Sequence, residues 1–174
     1  RPLGATENLY WRFDEHAPIN FGVVVRFKGV LEIPQLRDAL VALQCRHPLL
    51  RVKIVCDKKG YPWFRSGVGE IDLRIMALTD PAQSWRVLES EVNKPLDTAH
   101  GPLMRCVLLR HSADDASLVM TFHHSVSDGK SAIYLTRDIL QSITQQQQGL
   151  SARLPSLAPV GYYGDRVPRL DPWA

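Results

Sequence analysis

A chain of 174 residues with 45% hydrophobic and 22% charged residues is long enough to bury one core and has the composition of an ordinary globular protein, neither disordered nor fibrous. Its 21 basic and 18 acidic residues leave a net charge of +3, and the basic ones are scattered along the chain, which argues against a nucleic-acid partner. No apolar run approaches the roughly 20 residues of a membrane span and the start, Arg1-Pro2-Leu3-Gly4, has no signal-peptide character, so the expected location is cytoplasmic.

In chain order, Thr6 is placed to cap a short helix running through Phe13. Phe21, Val23, Val25 and Phe27 then alternate with Gly22, Val24 and Arg26 as in a strand. Pro34 suits a first helical turn, and Leu36, Ala39, Leu40 and Leu43 follow at helical spacing until Pro48. Leu50 to Cys56 and Tyr61 to Phe64 flank the turn-like Asp57-Lys58-Lys59-Gly60, which predicts a hairpin, and Ile71 to Ala77 predicts another strand. Thr79-Asp80-Pro81 signals a helix start, with Trp85, Leu88 and Val92 as its apolar face. Leu103 to Leu109 and Leu118 to Phe122 form the strongest strand pair, expected to be antiparallel. Lys130 to Gln147 reads as a helix with Ile133, Tyr134, Ile139, Leu140 and Ile143 inward. Residues 151–174, with Pro155, Pro159, Pro168 and Pro172, read as a proline-rich linker or crossover arm outside the core formed by residues 1–150. Cys45, Cys56 and Cys106 are odd in number and widely spaced, which predicts three small buried hydrophobes without disulfides.

The chemistry concentrates in His123-His124-Ser125-Val126-Ser127-Asp128-Gly129, where an apolar strand meets a loop that opens a helix. Adjacent residues of an extended segment point to opposite sides, so one histidine faces a cleft while the other packs inward. An imidazole exchanges protons near neutral pH, which makes one of the pair a candidate general base. Asp128 suits either orienting an imidazole or anchoring the loop to an arginine, and Gly129 permits a tight turn. Ser127 reads as a helix-capping serine in preference to an oxyanion donor. The residues alone leave a structural role for the pair open. Zinc fits poorly, because the pair lacks the one-turn helical spacing of paired-histidine zinc motifs and no Cys or Glu lies close by. No metal site is assigned.

This run resembles the His-His-x-x-x-Asp-Gly signature of the acyltransferase superfamily related to chloramphenicol acetyltransferase, which includes the condensation domains of nonribosomal peptide synthesis and polyketide-associated acyltransferases. Arg46-His47-Pro48-Leu49-Leu50-Arg51 is similar to the segment after the first long helix of condensation domains. Leu3-Gly4-Ala5-Thr6-Glu7-Asn8-Leu9-Tyr10-Trp11 is similar to their opening motif, and Gly101-Pro102-Leu103-Met104-Arg105 to the strand entering their active-site hairpin. The resemblance covers about Leu3 to Gln147 and only the histidine motif is specific by itself. It implies an α/β (α+β) two-layer sandwich, one lobe of a two-lobed fold, with a mixed sheet and helices packed on one face. It also implies that His124 is the general base, that His123, Asp128 and Gly129 are structural, and that Arg12 or the other lobe pairs with Asp128. The implied reaction transfers an acyl group from a CoA or phosphopantetheine-linked thioester to an amine or alcohol, with no tightly bound cofactor. The implied partners are a carboxy-terminal lobe and CoA or an acyl or peptidyl carrier protein, with no nucleic acid and no membrane span. The competing reading is a non-catalytic lobe that docks a carrier protein or partner lobe, with Arg12, Arg46, Arg51 and Arg105 as contacts for an acidic partner.

Overall fold

The computed structural model describes residues 1–78, 80–159 and 161. The elements follow in the order α1 (Ala5–Asp14), β1 (Asn20–Lys28), α2 (Ile33–Arg46), β2 (Val52–Cys56), β3 (Pro62–Ser66), β4 (Asp72–Ala77), α3 (Ser84–Val92), β5 (Met104–Arg110), β6 (Asp115–His123) and α4 (Gly129–Gln147). Short 3-10 turns at Pro48–Arg51 and Pro81–Gln83 precede β2 and α3. Among the described residues no helix is long and apolar enough to cross a membrane.

Four strands form one mixed sheet in the order β1-β6-β5-β4, and β2 and β3 make a separate hairpin. The most continuously apolar strand takes a central place: β6 lies antiparallel to both β1 and β5, with Cys106 opposite Met120, while β4 runs parallel to β5 on the edge. Period-two alternation then sorts the side chains. Phe21, Val23, Val25 and Phe27 join Cys106, Leu108, Leu118, Met120 and Phe122 on the face covered by α2 and α4. Helix α2 contributes Leu36, Ala39, Leu40 and Leu43, all buried, and the chain turns extended at His47 before Pro48. The opposite face is also covered, because Val107, Leu109, Val119 and Val24 pack under Val87 and Leu88 of α3. So α2 and α4 lie on one face as expected, and α3 adds a layer on the other. Gly22 makes that layer possible: a Cβ there would collide with Leu88 Cδ1 and come 2.8 Å from the Met120 carbonyl oxygen.

Several local expectations need correction. Gly4, not Thr6, caps α1, and the Glu7 carboxylate accepts the Gly4 N–H at 2.6 Å. In α3 the buried positions are Ser84 and Glu91, and Trp85 is exposed. Burial alone would raise the Glu91 carboxyl, yet Lys94, Arg74 and Arg105 outweigh it and hold it below the usual carboxylate range. Glu91 with its ion pairs thus takes the inward face of α3, and Trp85 lies outside. In α4 the inward residues are Ala132, Leu135, Asp138, Ile139, Ser142 and Ile143, whereas Ile133, Tyr134 and Leu140 are exposed. Cys106 is buried as expected, but Cys45 and Cys56 are exposed thiols. The expected linker begins as part of the lobe. Leu154 is buried, Ser142 Oγ donates to the Ala152 carbonyl at 2.9 Å, and Leu157 N–H donates to the Arg46 carbonyl at 2.9 Å. Pro168 and Pro172 lie outside the described residues.

Candidate active site

Strand β6 carries the histidine pair to the end of the sheet. His123 N–H donates to the Leu103 carbonyl at 3.0 Å, and His124 N–H donates to the Ile19 carbonyl at 3.1 Å, just before β1. The two rings differ as the alternation requires, with His123 wholly buried and His124 half-buried. His123 Nδ1 accepts the Ser125 N–H at 3.1 Å, which assigns the proton of the neutral ring to Nε2. That nitrogen has no hydrogen-bond partner among the described residues and faces Asp14 Oδ2 at 3.6 Å. Burial holds the His123 pKa below its ordinary value; the Asp14 charge opposes this and His124 reinforces it.

The His124 ring lies against two aromatic side chains. Tyr10 of α1 stacks on it with centroids 4.8 Å apart at 25°, and Phe21 of β1 lies 4.6 Å away at 37°. Phe21 also stacks on Phe122 at 5.3 Å, so the cradle is continuous with the core. Stacking fixes the ring plane while leaving part of the ring exposed.

The remaining motif residues shape the loop. Asp128 is the extended N-cap of α4, with its carboxylate accepting the Ser131 N–H at 2.7 Å. Hydrogen bonds from the Ser131 hydroxyl and backbone keep that carboxyl below its usual range. Gly129 opens the helix. Asp128 thus does the capping expected of Ser127, which is buried with its hydroxyl 3.5 Å from the Asp128 carbonyl oxygen. Among the described residues no ion pair joins Arg12 to Asp128; the Arg12 guanidinium instead lies 6.0 Å from the centroid of its neighbour Trp11.

Two other candidate arginines are already engaged inside the lobe. Arg46 pairs with Asp138 at 2.7 Å, and Arg105 pairs with Glu91 at 2.9 Å. Asp138 also binds His47 at 2.8 Å and Arg137 at 2.9 Å. A cavity of about 370 Å³ opens beside this cluster, with Ser127, Ser131 and Tyr134 in its wall and His124 outside it. Tyr10, Phe21 and Asp14 complete the histidine site and are not singled out by the motif. The one available signal is that Tyr10 and Asp14, four apart on α1, share a helix face.

A mixed sheet whose central strand ends in this histidine pair defines the chloramphenicol acetyltransferase-like class of folds. Within it, the chain belongs to the condensation-domain family, whose model matches residues 13–167. The chain is 35% identical to phosphinothricin tripeptide synthetase PhsC of Streptomyces viridochromogenes over 174 aligned residues, covering 92% of this chain and 16% of PhsC. It is 30% identical to nonribosomal peptide synthetase kk1B of Curvularia clavata over 148 aligned residues, covering 80% of this chain and 1% of that protein. The fold matches the starter condensation domain of rhizomide synthetase RzmA with a TM-score of 0.77 at 18% identity, over 94% of this chain and 41% of that one. The chain therefore spans a small part of the synthetases it is similar to and under half of the solved domain.

Proposed function

We propose that this chain is the amino-terminal lobe of a peptide-bond-forming condensation domain, with His124 as its general base. The acceptor amine attacks the carbonyl carbon of a donor thioester while His124 takes the amine proton. The C–N bond forms, the C–S bond breaks, and the departing thiolate takes up the proton from the imidazolium. The thioester is read as one on a carrier-protein phosphopantetheine arm in preference to free CoA, because the similar proteins named above are peptide synthetases. A carboxy-terminal lobe supplies the opposite wall of the site, consistent with the share of the solved domain that this chain spans.

The observation that carries the proposal is the contrast within the pair. His124 is the motif histidine with an accessible ring in a fixed plane, whereas His123 is sealed and spends Nδ1 on the loop backbone. A base must reach the proton it abstracts, and only His124 meets that condition. The test is single-turnover condensation by the full-length protein with donor and acceptor on their carrier proteins. His124→Ala is expected to slow it about 10²–10⁴-fold. A wild-type rate would transfer the argument to the docking-module reading.

A further inference from the structure

We infer that Asp14 is the positioning residue of the histidine pair, fixing the tautomer of His123 and the backbone of His124 without touching substrate. The inference rests on the general-base reading of His124. Asp14 closes α1, and its two carboxylate oxygens serve different parts of the site. Oδ1 accepts the Ile19 N–H at 2.8 Å, and the carbonyl of that same residue accepts the His124 N–H at 3.1 Å. One residue thus links the carboxylate to the backbone of the base. Oδ2 faces His123 Nε2 at 3.6 Å, longer than a full hydrogen bond, with the imidazole entirely buried and the carboxylate 12% exposed, so the Nε2–H dipole points at an anion with little solvent between them.

The contacts return to α1 through the loop. His123 Nδ1 accepts the Ser125 N–H, and Ser125 Oγ donates to the Glu7 carbonyl at 2.8 Å. Tyr10, one turn before Asp14, covers the His124 ring. Helix α1 therefore grips the pair at the ring of His124, through Ile19, at His123 and at Ser125.

The chemistry of the carboxylate decides the tautomer. A carboxylate offers only acceptors, so the proton of neutral His123 belongs on Nε2 and the lone pair on Nδ1 meets the Ser125 N–H. In Asp14→Asn the amide oxygen can still receive the Ile19 N–H, which turns the amide NH2 toward His123 Nε2–H. Two donors then confront each other. Moving the proton to Nδ1 relieves that contact and creates the same conflict at Ser125, so the loop next to His124 must shift. A displacement of this kind, on the order of 1 Å, costs as much as 10²-fold in rate.

The test uses the full-length protein containing this chain, with nitrogen-15-labelled histidine. In the wild type His123 is expected to carry its proton on Nε2; a proton on Nδ1 would overturn the inference without any variant. Asp14→Asn should populate the Nδ1–H form and lower kcat about 10–100-fold, with KM changed by less than about twofold. Asp14→Glu keeps a carboxylate and should return the Nε2–H form and part of the rate. An Asp14→Asn protein with the wild-type tautomer and kcat would overturn the inference. If His124→Ala keeps its rate, the base reading fails while the tautomer response to Asp14→Asn still stands or falls separately.

Discussion

Two imidazoles in this lobe face a carboxylate across elements distant in sequence, and they end up in opposite situations. Between α2 and α4, Asp138 is 1% exposed and both oxygens are taken, Oδ2 by Arg46 Nε and His47 Nε2 and Oδ1 by Arg137. Burial alone would raise its carboxyl, but His47, Arg137 and Arg46 outweigh it and hold it below the usual range. At the end of β6, Asp14 accepts one backbone N–H and faces a His123 Nε2 that has no hydrogen bond among the described residues, and the neighbouring His124 ring is held by stacking. A polar cluster whose members are all paired does mechanical work, joining helices and here the 151–159 segment, since Arg46 Nη1 also donates to the Pro155 carbonyl at 2.7 Å. Polar groups left underpaired at the end of a rigid strand are where local rules give way to function.

That contrast can be broken from either side. The largest effect on stability should come from Asp138→Ala, which leaves Arg46 and His47 partly buried without their anion. The expected cost is about 3 kcal/mol, the lower end for a broken buried pair because the Arg46 guanidinium keeps some solvent and His47, whose pKa burial lowers, loses a hydrogen bond, and it would appear as a melting point lower by roughly 6–12 °C. A shift under about 2 °C would remove Asp138 from the mechanical role. Gly22→Ala probes a third region, the seam between α3 and β1, and should cost about 1–3 kcal/mol through overpacking against Leu88, read from the denaturant midpoint. An unchanged midpoint would mean that α3 yields more easily than its packing indicates.

Inside the motif, Asp128→Ala separates helix capping from catalysis. Loss of an N-cap costs about 1 kcal/mol, so this variant should melt slightly earlier and lose far less rate than His124→Ala. A rate loss as large as that of His124→Ala would give Asp128 a direct part in catalysis.

The smallest effect is a pH dependence. His47 and His123 both have pKa values lowered chiefly by burial, so the folded protein binds fewer protons than the unfolded chain below about pH 6.5. Their contribution is intact above that value and is lost as pH falls through the lowered folded values. The urea midpoint should therefore fall between about pH 7 and 5, and His47→Gln should remove part of the slope. A slope unchanged in His47→Gln would show that His47 does not sense the change.

Much of this was legible in the sequence where a short period governs. The apolar, β-prone run from Leu118 to Phe122 predicts a strand, the polar stretch from His111 to Asp115 predicts its antiparallel partner, and the period of two predicts the unequal burial of His123 and His124, because each depends only on residues close in sequence. The inward face of α4 was legible only in part: Ile139 and Ile143 are buried as expected, but Asp138 also lies inside, paired with Arg46 and His47 at the end of another helix, and Ile133, Tyr134 and Leu140 are exposed. Asp14 sits between Phe13 and Glu15 with the look of an ordinary helix end. It meets His123 only because β1 pairs with β6, with Asn20 opposite His123.

Single-turnover rate and melting temperature, measured side by side for His124→Ala and Asp138→Ala in the full-length protein, would show whether chemistry and mechanical work reside in separate histidine–carboxylate regions. A crossed result is expected: His124→Ala loses about 10²–10⁴-fold in rate with its melting temperature nearly unchanged, while Asp138→Ala melts earlier and, assayed at a temperature where it is folded, keeps most of its rate. A His124→Ala protein with the wild-type rate, or two variants losing rate and stability in the same proportion, would contradict it.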